Sequence, residues 1–352
     1  MDLRLLDTTL ADLGQPAFRA KQVWEWAARG ANGYEEMTNL PEALRSQLAE
    51  RVPLSSLTVE HEALASDGTE KALFHTHDAR PIEAVLMRFK DGRRSLCLSS
   101  QSGCPLTCTF CATGSMKFGR NLTESEILDQ ALHFRRKLAG GAQPDRRSPP
   151  AVGQAGEHRT EVLDHCVFMG MGEPMLNLDS VLAACERLPD IGIHPSSTTI
   201  STVGWIPGIE RLTERDGPTI RLALSLHAPD DDLRSELMPV NDRFPLADVL
   251  AACRRWHDQR KRRVYIEYLM LDGVNDSAEQ ALDLAKVLTP HEAFKVNLIP
   301  YNPTDSGLSG SSRTTIDTFL ATLHHNGVPA TVRLTRGRDI EAACGQLAVA
   351  AG

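Results

Sequence analysis

Seven short apolar runs recur along the chain, and segments with helical periodicity separate them. The runs are SLCLSS, CVFMGMG, TTISTVG, IRLALSLH, RVYIEYLML, KVNLIP and ATVRLT. Two of the intervening segments open with capping-box patterns, Thr123 with Glu126 and Asp276 with Glu279. This alternation predicts an α/β fold with a parallel sheet. Six or seven strand-helix units fit a barrel or partial barrel, whose ligands bind at the carboxyl ends of the strands.

The part of the chain before these runs has a different character. PAFRAKQVWEWAARG and LPEALRSQLAERV show helical spacing, so residues 1–75 are predicted to form a small helical domain. The segment ALFHTHDARPIEAVLMRFKDGRRSLCLSS alternates apolar and polar residues around two turn signals and predicts a β-hairpin ahead of the barrel. Residues 139–161 are rich in Gly and Pro and predict a long surface loop.

Composition restricts the class of protein. The 352 residues are 41% hydrophobic and 24% charged, as in soluble globular proteins. Acidic residues interrupt the N-terminal segment where a secretory signal needs an apolar run, and no run is long enough to span a membrane, so a cytoplasmic protein is predicted. A net charge of −8 disfavours a general nucleic-acid coat. We interpret the short basic groups, among them Arg333, Arg336 and Arg338, as solvated surface.

Three cysteines, Cys104, Cys108 and Cys111, stand close together in SQSGCPLTCTFCATG. The eight cysteines of the chain are too few for a disulfide scaffold, and clustered thiols in a reducing compartment are usually metal ligands or catalysts. A structural zinc ion would need a distant fourth ligand and stays a minor alternative, while a thioredoxin-like pair does not use three thiols. The C-x3-C-x2-C spacing favours an iron–sulfur cluster held by three thiolates, which leaves one iron open to another ligand.

The same spacing after the first barrel strand, with Phe110 before the third cysteine, resembles the radical S-adenosylmethionine (SAM) enzymes. More narrowly, the chain from about residue 80 resembles the RlmN/Cfr family of RNA adenine methyltransferases. The motifs that occur in that family's order are GCPLTCTFCATG, FMGMGEPMLN, ISTVG, LSLHAP, LMPVNDRFP, IEYLMLDGVND, NLIPYNP and DIEAACGQL. The resemblance implies a radical SAM partial (βα)6 barrel over residues 76–345, a C-terminal tail over 346–352, and an RNA-binding role for residues 1–75.

The resemblance also implies a reaction, with one 4Fe–4S cluster per chain and SAM as cofactors. An adenine ring carbon such as C2 is electron-poor and cannot attack a sulfonium methyl group, so a radical route is needed. In the family, a protein cysteine carries the methyl group, a radical derived from a second SAM activates it, and a second cysteine releases the product through a transient disulfide. Cys344 matches the carrier, Cys97 the resolving cysteine and Glu83 the proton acceptor. Three cysteines match no role and are interpreted as small buried hydrophobic residues: Cys166, Cys185 and Cys253.

Residues at the ends of several strands match the family's SAM-binding positions. The assigned set is Gly172, Glu173, Ser201, Ser225, Leu226, His227 and Asn302. A glycine beside a carboxylate suits the ammonium end of SAM. A single serine or histidine is more often structural, but the ends of barrel strands point toward one mouth, which favours a shared site.

The resemblance further implies a target and partners. The expected activity is methylation of carbon 2 of an adenine in 23S rRNA; an adenine in the tRNA anticodon loop stays open as a second target. Methylation of carbon 8, as in Cfr, is the alternative, although Pro174 and the TRGRDI segment favour carbon 2. A radical SAM enzyme for a small molecule or peptide, and a non-enzymatic, metal-containing RNA-binding protein, stay open as well. We expect a flavodoxin-type electron donor, a monomer and no membrane contact.

Overall fold

The computed structural model describes residues 1–140 and 161–347, so the predicted loop and most of the tail lie outside the described residues. The strands are β1 (Leu57–Leu64), β2 (Glu70–Thr76), β3 (Pro81–Arg88), β4 (Arg94–Cys97), β5 (Gln101–Ser102), β6 (Arg120–Asn121), β7 (His165–Phe168), β8 (Thr198–Thr202), β9 (Arg221–Ser225), β10 (Val264–Met270), β11 (Phe294–Pro300) and β12 (Ala330–Val332). The helices are α1 (Leu3–Asp12), α2 (Phe18–Arg29), α3 (Glu42–Arg51), α4 (Ala112–Ser115), α5 (Glu124–Ala139), α6 (Leu178–Arg187), α7 (Ile206–Glu214), α8 (Asp231–Leu237), α9 (Leu246–Arg260), α10 (Ala278–Val287) and α11 (Arg313–His325). None of these helices has the length and apolarity needed to cross a membrane.

Ten strands form one sheet in the order β1-β2-β3-β4-β7-β8-β9-β10-β11-β12. Neighbours from β4 to β12 run parallel, whereas β1, β2 and β3 extend the edge as antiparallel strands. Cys97 of β4 and Thr331 of β12 line one cavity although they stand at opposite ends of the parallel set, which shows that the strands curl. The α/β class and the partial barrel are confirmed, with six strand-helix units followed by a seventh strand.

Successive side chains on the barrel strands alternate between the helices and the barrel interior. Leu222, Leu224, Ile266 and Val296 point outward and are completely buried in the main hydrophobic core. Burial of each such side chain stabilises the fold by about 1.5–3 kcal/mol. The side chains at the intervening positions face the barrel interior. The strands therefore separate the main hydrophobic core from the cavities described below.

The N-terminal helices have a smaller apolar cluster of their own. Leu6 of α1, Val23 of α2 and Leu48 of α3 are buried against one another. Trp24 Nε1 donates a hydrogen bond to the Asp190 carboxylate at 2.6 Å and attaches α2 to the outer side of the barrel.

The helical part of this region is shorter than the predicted span of residues 1–75. The third helix ends at Arg51, and residues 57–76 form β1 and β2 of the main sheet. β1 is an edge strand whose side chains are mostly exposed. β1 therefore lacks the apolar alternation by which a strand is identified in a sequence. For that reason the prediction of a helical region was wrong for β1.

Both segments that were predicted to begin with a capping box do so, one of them a residue later than predicted. Thr123 caps α5 as expected. For α10, Ser277 is the cap rather than Asp276 with Glu279. The physical reason is that Asp276 Oδ1 accepts the backbone N–H of Gly273 at 3.1 Å in the preceding turn.

Candidate active site

The three clustered cysteines lie on the loop between β5 and α4, at the carboxyl ends of the parallel strands. Their side chains line a cavity of about 150 Å³. A Cβ atom on Gly114 would approach the Cys108 carbonyl oxygen to 2.7 Å, so glycine is needed for α4 to pack against this loop. Burial raises the pKa of all three thiols, to about 12 for Cys104. A bound cationic metal centre would reverse this effect by stabilising the thiolates.

The spacing of these thiols bears on what they could hold. The ligand atoms of one tetrahedral zinc ion lie on the order of 3.8 Å apart. Among the described residues, the only three His, Cys, Asp or Glu ligand atoms within 4.8 Å of one another belong to His77, Asp78 and Glu126, and Arg120 binds both of those carboxylates at 2.7 Å. The three cysteine sulfurs do not form such a group, so at least two of them lie more than 4.8 Å apart, which is too far for two ligands of one zinc ion.

Glu173 follows β7 and is almost fully buried at the edge of the same cavity. Its Oε1 accepts the backbone N–H of Met175 and its Oε2 that of Val203, both at 3.0 Å. The preceding Gly172 has a φ of +96°, which glycine adopts without strain. Burial raises the pKa of the Glu173 carboxyl to about 7. In the described part of the chain no cation pairs with this carboxylate, so its chemistry suits a cationic ligand.

The next two strands contribute Ser201, Ser225 and His227 to the cavity. His227 Nδ1 accepts the backbone N–H of Leu269 at 3.0 Å. The His227 ring stands edge-on to Phe110, with the ring centroids 4.8 Å apart. Burial lowers the pKa of His227 to about 3, so the ring is neutral and connects β10 with the cysteine loop.

A segment near the end of the described chain brings Cys344 beside this cavity. The Ala112 N–H donates to the Gly345 carbonyl at 2.9 Å, and Asn302 Nδ2 donates to the Cys344 carbonyl at 3.5 Å. Arg338 Nε in turn donates to Asn302 Oδ1 at 3.0 Å. These bonds hold the Cys344 segment between the cysteine loop and the residues that follow β11.

A second cavity, of about 460 Å³, lies inside the barrel. Four residues line both cavities: Met169, Glu267, Ile299 and Cys344. Cys97, at the end of β4, lines the second cavity only. Burial raises the pKa of the Cys97 thiol to about 12, nearby Cys344 adds to this, and Arg333 opposes it. Both cysteines are free thiols, and the described residues contain no disulfide, so the implied transient disulfide is not formed in this structure.

The structure brings most of the sequence-predicted residues to these two cavities. The first is lined by Cys104, Cys108, Cys111, Gly172, Glu173, Ser201, Ser225, His227 and Cys344; the second by Cys97, Asn302 and Cys344. Leu226 lines neither, because its side chain is buried in the main core. Glu83 also lines neither and is buried with Lys71 Nζ 3.0 Å from its Oε1. The three cysteines without a role are buried in the main core, as predicted: Cys166, Cys185 and Cys253.

The sequence interpretation missed Glu267, which lines both cavities. Asn297 Nδ2 donates to its Oε1 at 2.9 Å, and Arg333 Nη1 donates to its Oε2 at 3.1 Å. The available signal was a lone charged residue at an inward position of the apolar strand VYIEYLM. Arg333 faces the cavity, so its interpretation as solvated surface was wrong.

Comparisons with known proteins agree with this arrangement. The Radical SAM superfamily profile matches residues 98–285, and that of the ribosomal RNA large subunit methyltransferase N-terminal domain matches residues 1–54. A probable dual-specificity RNA methyltransferase RlmN of Chloroflexus aurantiacus is 45% identical, over 99% of this chain and 91% of its own length. A protein of the same name from Thermus thermophilus is 42% identical, over 98% and 93%.

A solved structure extends the similarity to the fold. The crystal structure of a radical SAM methyltransferase from Sphaerobacter thermophilus matches with a TM-score of 0.86 at 42% identity, over 98% of this chain and 97% of that one. The match covers the N-terminal helices as well as the barrel. The chain therefore belongs to the radical SAM superfamily and, within it, to the RlmN family.

Proposed function

We propose that this protein is a radical SAM methyltransferase that places a methyl group on carbon 2 of an adenine in 23S rRNA, with Cys344 as the methyl carrier. The observation that carries the proposal is the position of Cys344, which lines both cavities. The cluster cysteines lie on one side of it and Cys97 on the other. A carrier must meet a methyl donor and an acceptor in turn, and a place on the wall between two cavities allows both.

The residues around the smaller cavity suit the proposed cofactors. Bound there, a 4Fe–4S cluster with SAM supplies reductive cleavage of SAM to a 5'-deoxyadenosyl radical. Cys104, Cys108 and Cys111 would hold three irons and leave the fourth for SAM, and Glu173 would pair with the ammonium group of SAM. Sites that enclose a whole ligand usually measure roughly 300–1,000 Å³. SAM would therefore also use space along the wall formed by Cys344.

Cys97 is proposed as the thiol that releases the product: its attack on the sulfur of Cys344 would form a disulfide, break the bond between that sulfur and the transferred carbon, and leave this carbon to take up a proton as the methyl group. It packs in a small cluster with Val85 and Ala342 and faces the same cavity as Cys344. Attack needs the thiolate, and the raised pKa of Cys97 means that deprotonation must accompany this step. Glu83 is proposed as the acceptor of the proton from the adenine. Its side chain lines neither cavity, so this role requires movement of the base or of β3.

The comparisons support RNA as the substrate class. The relatives are named dual-specificity RNA methyltransferases, which supports a second RNA substrate, and we propose a tRNA. The match of residues 1–54 to a ribosomal RNA methyltransferase domain supports RNA binding by the N-terminal helices. Pro174 and the TRGRDI segment favour carbon 2 over carbon 8. A low-potential, flavodoxin-type protein is the proposed electron donor.

Mass spectrometry tests the proposed function. In protein prepared anaerobically and reconstituted with iron and sulfide, the peptide that contains Cys344 should carry one added methyl group, and the peptide that contains Cys185 should not. After incubation with SAM, reductant and unmodified 23S rRNA, the digested RNA should contain 2-methyladenosine. Formation of 8-methyladenosine would assign the reaction to carbon 8 instead. A colourless zinc protein that binds RNA without methylating it would overturn the proposal.

A further inference from the structure

The interior of the barrel is polar toward the amino ends of its strands. Inward positions there are occupied by Arg221 of β9, Tyr265 of β10 and Lys295 of β11. Barrel interiors are ordinarily filled by layers of branched apolar side chains. Here the space stays open, and its volume of about 460 Å³ falls within the range of roughly 300–1,000 Å³ typical of ligand sites. We call this space the basic lumen.

The lining of the basic lumen carries a net positive charge. Its lining contains five cationic side chains: Arg93, Arg221, Lys295, Arg333 and Arg336. Among the described residues that line it, Glu267 is the only carboxylate. A concave surface lined by one sign of charge concentrates ligands of the opposite sign. The lumen therefore suits an anionic ligand.

Three of the five cations already have carboxylate partners. Arg93 Nε lies 2.8 Å from Asp91, Arg333 Nη1 lies 3.1 Å from Glu267, and Arg336 Nη1 lies 3.6 Å from Asp67.

Arg221 and Lys295 differ from these three. Neither side chain makes a hydrogen bond or ion pair within residues 1–140 and 161–347, and both are partly buried where they face the lumen. Their side-chain nitrogens have no partner among the described residues and are not enclosed by protein atoms, so they are available to an incoming anion.

The lumen also reaches the cysteines of the proposed reaction. The strand register places Cys97, Val167, Thr199 and Arg221 in one row across β4, β7, β8 and β9. Cys344 lines the lumen on one side and the cavity of the cluster cysteines on the other. A ligand held at Arg221 therefore shares one cavity with the two thiols, on the other side of Cys344 from the proposed SAM site.

We propose that the basic lumen receives the RNA nucleotide that carries the target adenine, and that Arg221 and Lys295 bind its adjoining phosphate. The proposal rests on the proposed RNA methyltransferase function and adds a nucleotide site and two phosphate contacts to it. Arginine and lysine are the usual partners of RNA phosphates. Tyr265 and Phe89 also line the lumen, and aromatic side chains beside cations are the combination that holds unstacked bases.

The first test measures binding of a single-stranded RNA oligonucleotide that contains the target adenosine to the reconstituted full-length protein, by fluorescence anisotropy at several salt concentrations. The double variant Arg221→Gln/Lys295→Gln should bind about 10- to 100-fold more weakly, because it cannot form two charge-assisted hydrogen bonds to the phosphate. The slope of log affinity against log salt should decrease by about 0.7 for each phosphate that is no longer neutralised. Lys286→Gln, an exposed cation on the outer face of α10, is the matched control and should bind as the wild type does.

A second arm identifies the phosphate. A methylphosphonate beside the target adenosine removes one negative charge from the RNA. It should weaken binding to the wild type and have no further effect on the double variant, as expected when the two changes disrupt one interaction. The single variant Arg221→Lys keeps the positive charge and should bind the RNA nearly as well as the wild type. Iron content and the thermal midpoint of unfolding report whether each variant is folded.

The two proposals fail in different ways. If the wild type methylates RNA but the double variant keeps the wild-type affinity, salt slope and KM for RNA, Arg221 and Lys295 of the basic lumen do not bind the RNA phosphate. If the wild type neither methylates RNA nor binds the oligonucleotide, the proposed function is overturned and the lumen proposal with it.

Discussion

The two ends of the partial barrel differ in chemistry although the same strands build both. At the carboxyl ends, thiols and the buried carboxylate of Glu173 surround a cavity of about 150 Å³. Toward the amino ends, Arg221 and Lys295 face a cavity of about 460 Å³. Each strand contributes one inward side chain every two residues, so neighbouring inward positions can carry opposite charge. Under the proposed function, a cationic cofactor and an anionic RNA would occupy separate cavities on either side of Cys344, without competing for one site.

The largest expected effect concerns the carboxyl end alone. Replacement of Cys104, Cys108 or Cys111 with Ala removes a thiolate that no neighbouring side chain can replace, so each variant should lose the cluster and all SAM cleavage. Iron content and the yield of 5'-deoxyadenosine under reducing conditions measure this. Cys253→Ala, in the main core, is the control. Normal iron content and SAM cleavage in all three variants would show that these cysteines do not hold a cluster, and the proposed chemical difference between the two ends would be wrong.

Cys344→Ala should keep SAM cleavage at the carboxyl end of the barrel but abolish the methylation of RNA. The cluster ligands remain, so the variant should bind iron and still cleave SAM weakly. RNA methylation should be abolished, because the sulfur that carries the transferred carbon is missing. The measurements are 5'-deoxyadenosine yield and methyl incorporation into RNA, with Cys185→Ala as the control. Methylation at the wild-type rate would show that the carrier is elsewhere.

Cys97→Ala should stop the reaction later, after the base has been joined to Cys344. The thioether could not be resolved by a neighbouring thiolate, so a covalent protein–RNA adduct should accumulate. A nuclease-sensitive shift on a denaturing gel detects it. Cys166→Ala is a matched control, since Cys166 lies on the adjacent strand opposite Leu96 and faces the core. It should cost about 1–2 kcal/mol of stability without forming adduct. Formation of free methylated product by Cys97→Ala, without adduct, would show that Cys97 has only a structural role.

The smallest expected effect is a pH dependence of SAM binding. The pKa of Glu173 is raised to about 7, so the carboxyl becomes neutral as the pH falls through that value and loses its attraction for the ammonium group of SAM. Affinity should therefore decrease below about pH 7. Glu173→Gln should weaken binding about 10- to 100-fold at pH 8 and abolish this dependence. Equilibrium dialysis of SAM from pH 6 to 8 measures both, and an unchanged pH profile in the variant would exclude Glu173 as the titrating group.

Much of the fold was predictable from local pattern. All seven apolar runs contain strands of the parallel set, because strands covered by helices leave a strong apolar signal. β1 was missed because an exposed edge strand leaves no such signal. The first turn of α10 was placed one residue early because Asp276 and Ser277 are both good caps, and only the Gly273 turn decides between them.

The residues of the candidate site likewise fall into those that local sequence predicted and those that it did not. The spacing of Cys104, Cys108 and Cys111 is short enough for one loop to present all three, so the sequence by itself determined that these thiols lie together. The same holds for the family, whose motifs are contiguous stretches of sequence. The role of Arg333 was not accessible in this way, because an arginine in a basic group is usually solvated and only its pairing with Glu267 shows otherwise.

Only the tertiary structure decided that Cys344 and Cys97 share a cavity. They lie far apart in the chain, on a late loop and on the first strand of the parallel set, and curling of the sheet brings them together. Local sequence fixes which side chains point inward, since alternation along a strand is a property of neighbouring residues. Which inward side chains face one another depends on register and curvature, and these arise from contacts between distant strands.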